Sequence, residues 1–228
     1  MYPDSSGSDV MPSVNPVMYD GFYCELARYF QTTDVRIYEP ERVQKYNMNV
    51  IYDFFIQQGW TPNAISGMLG NMMVESTVNP WLFQNTYLDW SDPSAIIADN
   101  GGMGLTQWTP CRKYYQWALD SNLDPESGYT MCERIVYESQ NNLQWSLDNY
   151  GRHTWNDFIT STETPSILAD VWCWAYERPS SSPDMDQRWE NAEWCFQHIK
   201  GVRLSAPFMI SFYGINKRKV GKRRCLRI

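Results

Sequence analysis

Apolar side chains recur at helical spacing through most of this chain. Val43, Tyr46, Val50, Ile51, Phe54 and Phe55 mark the core face of a first long helix, and Gly59 follows as its stop. Thr61-Pro62 opens the next helix, with the threonine oxygen as N-cap and proline at the first helical position, where its missing N–H costs nothing. The same dipeptide recurs at Thr109-Pro110, ahead of Tyr114, Trp117 and Ala118, and at Thr164-Pro165, ahead of Ile167, Leu168, Val171, Trp172 and Ala175. Met131, Ile135 and Val136 mark another helix, and Thr154 with Asp157 reads as a capping box before Phe158 and Ile159. Met185, Trp189, Ala192, Phe196 and Ile199 mark a last one, ended by Gly201. The weak pattern after Val17 predicts a short helix there. Period-2 alternation is nearly absent and no internal repeat emerges, so the expected fold class is mainly α, in a single domain.

Regularity fails between Ser76 and Asn100. A loop of that length inside a domain is usually functional or hides a small β-region. It interleaves Trp81, Phe83, Tyr87 and Trp90 with Asn79, Gln84, Asn85, Asp89, Asp92 and Asp99. Flat apolar rings beside amides and carboxylates suit a sugar-binding wall, since pyranose rings stack on aromatics while their hydroxyls take directed hydrogen bonds. The competing reading is that the aromatics pin the loop to the core.

Just before that loop, Ile65, Met68, Leu69, Met72 and Met73 form the apolar positions of the central helix, and Gly67 and Gly70 leave room for another element to approach. Glu75 falls on the same face near the helix end. Desolvation there would raise its pKa and let it donate a proton to a leaving oxygen, as lysozyme's raised glutamate does. A glutamate at a helix end is nevertheless more often ion-paired or solvated.

After the loop, Gly101, Gly102 and Gly104 permit tight turns and close backbone approach. The segment lacks the Lys-Ser/Thr of a P-loop and the dinucleotide spacing. It fits a strip of backbone along a substrate groove, with Gln107 offering an amide and Trp108 beside it.

Charge and cysteine content narrow the alternatives. The net charge of −7 averages two unlike parts: from Lys217 onward there are seven Lys or Arg and no acid, which leaves the body near −14. So acidic a body argues against a nucleic-acid partner. The basic end reads as a solvated tail, with anchoring to an anionic polymer as its competitor. The expected organisation is a tail at 1–16, a domain at 17–200 and an extension with its basic tail at 201–228. No signal peptide or membrane span is expected, since no stretch approaches the roughly 20 apolar residues a span needs. Cys24, Cys111, Cys132, Cys173, Cys195 and Cys225 show no C-x-x-C spacing and read as buried free thiols, with one or two disulfides as the competitor. His153 and His198 are too isolated for a two-His zinc site, so no metal and no cofactor are expected. A Cys-His amidase is open on residue types alone, without a recognisable nucleophile context.

Four ordered blocks, GMLGNMMVESTVNP, GGMGLTQWTP, RIVYESQNNLQW and ILADVWCWAYERP, resemble the phage tail lysozyme family over about Val43 to Ile199. The likeness is to the lysozyme domain of tail-tip cell-wall hydrolases from small podoviruses of Gram-positive bacteria. It implies a lysozyme-like α fold with a long loop or small β-region beside the cleft. It also implies cleavage of the β-1,4 bond between N-acetylmuramic acid and N-acetylglucosamine in peptidoglycan. The glutamate of E-S-x-x-N-P, Glu75 here, would be the general acid. Peptidoglycan strands and other tail proteins would be the partners. The location would be the virion tail, or the host cytoplasm before release. Such proteins often append a zinc endopeptidase; nothing after Gly201 reads as one, so no second activity is expected.

The second carboxylate is sought at Asp99, with Asp89 and Asp92 behind it, and its distance from Glu75 would separate retention from inversion. Gln107, Gly102, Trp81, Tyr87 and Trp108 are the expected substrate contacts. A lone acid would suit a lytic transglycosylase instead, and the G-L-x-Q strip is similar to that group too. A non-catalytic wall-binding or tail module is the alternative of another class. Glu177 is expected to form a structural ion pair with Arg178.

Overall fold

The computed structural model describes residues 17–24, 42–85, 87–146, 153–179 and 182–199. The tail at 1–16, the basic end from Lys217 and Cys225 lie outside these residues. Among them are eight α-helices, one π-helical turn and one two-stranded sheet.

The order is β1 (Val17–Tyr19), β2 (Phe22–Cys24), α1 (Arg42–Gln57), α2 (Pro62–Ser76), α3 (Pro93–Ala98), α4 (Arg112–Asp120), α5 (Gly128–Gln140), α6 (Trp155–Thr160), α7 (Pro165–Trp172), the π-turn Cys173–Glu177, and α8 (Met185–His198). The mainly helical single domain expected from the apolar spacing is what forms.

The segment after Val17 is not a helix. Val17 pairs with Cys24 and Tyr19 with Phe22 in an antiparallel hairpin. Asp20 and Gly21, at φ 43° and 79°, make the two-residue turn. Asp-Gly is the residue pair that such a turn selects, a local signal stronger than the weak helical spacing around it.

Helix α2 sits at the centre, packed along α7 and α8, which also pack on each other. Ala64 through Met73 are all buried, so this helix is enclosed all round rather than amphipathic. Thr61 caps it as expected, its hydroxyl oxygen accepting from the Ala64 N–H at 3.2 Å. Gly67 and Gly70 set the interhelix spacing. A Cβ on Gly67 would lie 2.8 Å from the Leu168 carbonyl carbon, and one on Gly70 would lie 2.6 Å from the Arg188 carbonyl oxygen.

Two further caps can be compared with their sequence signals. Thr154 and Asp157 form the full reciprocal box at the start of α6. Thr109 caps nothing: its hydroxyl donates to the Gln107 carbonyl, and α4 begins only at Arg112. The chain is still turning at Pro110, whose carbonyl accepts from the Lys113 N–H.

The long segment after α2 holds the short helix α3 and a single antiparallel bridge between Phe83 and Met103. A second aromatic cluster closes the far side of the core. Trp172 stacks on Tyr176 with ring centroids 4.2 Å apart, and Trp145, Trp155 and Phe158 surround them.

Candidate active site

Helix α2 ends in an unusual turn. Thr77 and Val78 both have positive φ, 53° and 59°, a conformation that β-branched residues adopt only where surrounding structure holds them. The hold is visible. The Asn47 side-chain amide donates to the Val78 carbonyl at 2.9 Å, and the Ser76 hydroxyl donates to the Leu105 carbonyl at 2.8 Å. Ser76 therefore ties the end of α2 to the glycine strip, with Glu75 one residue before the tie.

The Glu75 carboxylate meets a cation rather than an apolar pocket. Arg188 Nη2 lies 2.6 Å from Glu75 Oε1, and the two side chains are 6% and 23% exposed. Arg188 Nη1 donates to Asn71 Oδ1 at 2.7 Å. Asn71 in turn donates to the carbonyls of Gly67 at 3.0 Å and Ala169 at 2.9 Å. One buried amide thus fixes α2, α7 and the guanidinium together. Burial alone would pull the Arg188 pKa down, but the neighbouring Glu75 carboxylate holds it above its usual value.

Glu177 is the carboxylate that the sequence reading misassigned. It was expected to pair with Arg178, but Arg178 turns away as a left-handed cap at φ 53°. Pro179 accounts for that, because the residue before a proline is driven out of the helical region. Glu177 Oε1 accepts instead from Trp172 Nε1 at 2.7 Å. As a whole residue Glu177 is partly exposed, yet its carboxyl is enclosed by protein. Burial first, and the Glu75 charge second, push it well above the usual carboxylate range, against the opposing pull of Arg188 and the Trp172 N–H. Glu75, Arg188 and Glu177 therefore form one electrostatic unit. Beneath it, Glu138 is 1% exposed and accepts from Tyr176 at 2.6 Å and Arg134 at 2.8 Å.

Asp99 does not join this unit. It is 7% exposed and accepts from Asn85 at 2.9 Å, from the Gly101 N–H at 2.6 Å, and from the Tyr87 hydroxyl. Burial opposes its ionisation, yet the bonds from Tyr87, Gly101, Asn85 and the Cys111 thiol outweigh burial and hold it below the usual carboxylate range. A carboxylate so fully engaged has little capacity left to serve as base or nucleophile. Asp92 caps α3 through the Ala95 N–H, and Asp89 closes a turn onto Ser91.

The expected substrate contacts separate. Trp108 is corrected to the core: it is 3% exposed and stacks on Tyr114 at 4.8 Å, leaving no face for a sugar. The Trp81 indole donates to the Glu126 carbonyl at 2.9 Å, and its ring packs on Tyr19 and Trp90, so it pins the loop. Gln107 spends its amide N–H on the carbonyls of Leu82 and Gly104 at 3.2 and 2.9 Å. Gly102 exchanges bonds with Gln84, and a Cβ there would sit 3.0 Å from Gln107. Tyr87 alone stands out, 72% exposed, over an open depression of about 560 Å³ that Asp99, Asn85 and Gln84 help to line.

Other chemistry finds little footing. Cys24, Cys111, Cys132, Cys173 and Cys195 are all buried free thiols. Burial pushes Cys111 and Cys173 up to about 12, which keeps these two as thiols near neutral pH. His153 faces Glu163 at 2.5 Å, and His198 stacks on Trp194. Among the described residues no group of three or more His, Cys, Asp or Glu is arranged to hold a metal ion. No helix among them is long and apolar enough to cross a membrane.

Two comparisons bear on identity. Morphogenesis protein 1 of Bacillus phage B103 is 39% identical over 155 residues, which cover 68% of this chain and 40% of that protein. The chain thus spans well under half the length of that curated relative. The family described as phage tail lysozyme matches residues 46–198, from the first long helix to the last and including Glu75, Glu177 and Arg188. On that match, the chain belongs to the phage tail lysozyme family.

Proposed function

We propose that this chain degrades peptidoglycan as an N-acetylmuramidase carried by a phage tail, with Glu75 and Glu177 as its working carboxylates. The observation that carries this reading is Glu75 at the end of α2, 2.6 Å from the buried Arg188, with its charge felt by the Glu177 carboxyl that Trp172 holds, all within the matched region. Glu75, the glutamate of the E-S-x-x-N-P block, acts as the general acid and delivers a proton to the glycosidic oxygen as an oxocarbenium-like transition state develops. The pair, now without its proton, draws one back from the water that attacks the sugar carbon. The bond to the leaving sugar breaks, one bond to water oxygen forms, and the pair ends protonated as it began.

The name of the B103 relative supports assembly into a virion, and other tail proteins are the partners proposed on that basis. Wall polymer, with its repeating acetylated sugars, is the proposed substrate.

Mass spectrometry of muropeptides released from purified sacculi tests the reaction. The expected product ends in a reducing N-acetylmuramic acid, and Glu75→Gln is expected to lower its release by orders of magnitude while binding to sacculi persists. A 1,6-anhydro end would identify a transglycosylase instead. Unchanged release by the variant would remove Glu75 from the mechanism, and binding without any release by the parent would leave a wall-binding module.

A further inference from the structure

Asp99 and Tyr87 make an arrangement that the carboxylate pair does not use. The Tyr87 ring is the most exposed large apolar group among the described residues, at 72%. An exposed ring at a loop would ordinarily be free to turn. Here its hydroxyl is bonded to Asp99, and Asp99 is itself fixed by Asn85, the Gly101 N–H and Cys111. The result is an aromatic face presented to solvent in one orientation, anchored through its far end to a buried anion.

The surroundings are polar in a particular way. The depression beside the ring is lined by Gln84, Asn85, Asn100 and the Gly101 backbone, groups that donate and accept without carrying net charge. A flat apolar face next to uncharged amides fits a ring with hydroxyl and acetamido substituents. Asp99 is the one charged residue that lines it, and an anion would meet that carboxylate.

Gly101 begins the strip that runs to Leu105, whose carbonyl takes the Ser76 hydroxyl beside Glu75. Leu105 lies six positions after Asp99, a reach of at most about 22 Å. Residues 101–106 are buried, so this strip fixes the spacing between the depression and Glu75 from within the protein.

We propose that Tyr87 is the stacking platform of a sugar subsite for an N-acetylhexosamine unit away from the bond being cleaved, and that Asp99 is the positioning residue that locks the platform. This rests on peptidoglycan being the substrate. On this proposal Asp99 positions the platform rather than serving as the second carboxylate.

The test uses three variants in the full chain. Tyr87→Ala removes the ring, Tyr87→Phe keeps the ring and removes its anchor, and Asp99→Asn removes the anion. On sacculi, Tyr87→Ala is expected to raise KM about three- to tenfold with kcat little changed, as loss of one aromatic contact would. Tyr87→Phe and Asp99→Asn are expected to raise KM by less, in the same direction. Tyr87→Phe carries the anchoring test if Asp99→Asn folds poorly, since it removes the same bond from the exposed end.

Direct binding of the β-1,4-linked tetrasaccharide of N-acetylglucosamine, followed by calorimetry, separates this idea from the proposed reaction. A parent that binds the tetrasaccharide and loses binding on Tyr87→Ala keeps the subsite even if no glycosidic cleavage is found. An unchanged KM and unchanged tetrasaccharide binding in Tyr87→Ala would overturn the platform. A collapse of kcat with constant KM in a folded Asp99→Asn would return Asp99 to the chemistry. Competition by free stem peptide but not by the tetrasaccharide would overturn the sugar assignment.

Discussion

The Asn71 amide oxygen accepts from Arg188 Nη1 at 2.7 Å, across 117 positions of chain. Asn71 lies one helical turn before Glu75 on α2, so the same guanidinium fork spans an amide and a carboxylate on one helix. Asn71→Ala would leave that arm of the guanidinium without its buried partner, at about 1–3 kcal/mol, and would free the fork to rotate. Activity on sacculi is expected to fall at least about tenfold, with a lower melting temperature. Full activity in a destabilised Asn71→Ala would show that the fork needs no such bracing.

Arg188→Lys tests the fork more directly. Lysine keeps the charge but cannot donate in two fixed directions at once. The expected outcome is a variant that folds but has clearly reduced kcat, whereas parent-like kcat would mean that charge alone suffices.

Glu177 makes a prediction about pH. Its proton is held more tightly folded than unfolded, because burial and the Glu75 charge raise it. The stability it lends is therefore full below the ordinary glutamate range, near about 4.3, and is lost as pH rises through its folded value. Glu177→Gln has no such loss, so its melting temperature should gain on the parent's as pH rises. The alkaline limb of the parent's activity profile should also lie above the ordinary carboxylate range and change in the variant. Parallel melting curves at all pH values would refute the raised, coupled carboxyl.

Gly70→Ala probes the packing that brings α8 to α2. The added Cβ would meet the Arg188 carbonyl oxygen at 2.6 Å and the Ala192 backbone nitrogen at 2.8 Å. Neither can move aside alone, so a loss of about 1–3 kcal/mol is expected, read as a lower denaturant midpoint. Activity should fall too, since the displaced backbone carries Arg188. The same substitution at Gly59, where φ is 85° but nothing lies within 4 Å, should cost stability without touching activity.

How much of this was legible in the chain depends on distance along it. Thr61 and the Thr154–Asp157 box could be read because their partners lie three residues away. The roles of Gly67 and Gly70 could be read from a helix otherwise lined with Met, Leu and Ile. The Asp20–Gly21 dipeptide is itself a turn signal, and it overrides the weak helical spacing of its neighbours. Arg188 and Glu75 are separated by 113 positions, and no local pattern announces such a pair. The one hint was an arginine on the same helix face as Met185 and Ala192. Asp99 looked catalytic because it precedes three glycines; only the structure shows its oxygens already engaged.

The turn Cys173–Glu177 closes with five-residue spacing rather than the α-helical four. Five residues of ordinary helix would carry Glu177 about 140° around the axis from Trp172; here the two side chains are bonded. The placement of Glu177 is thus a matter of counting as well as of residue type. Straightening this turn into ordinary α-helix without losing a residue would leave every group named in the mechanism present while swinging Glu177 about 140° from Trp172, whereas losing one residue as well would return it to about 40°.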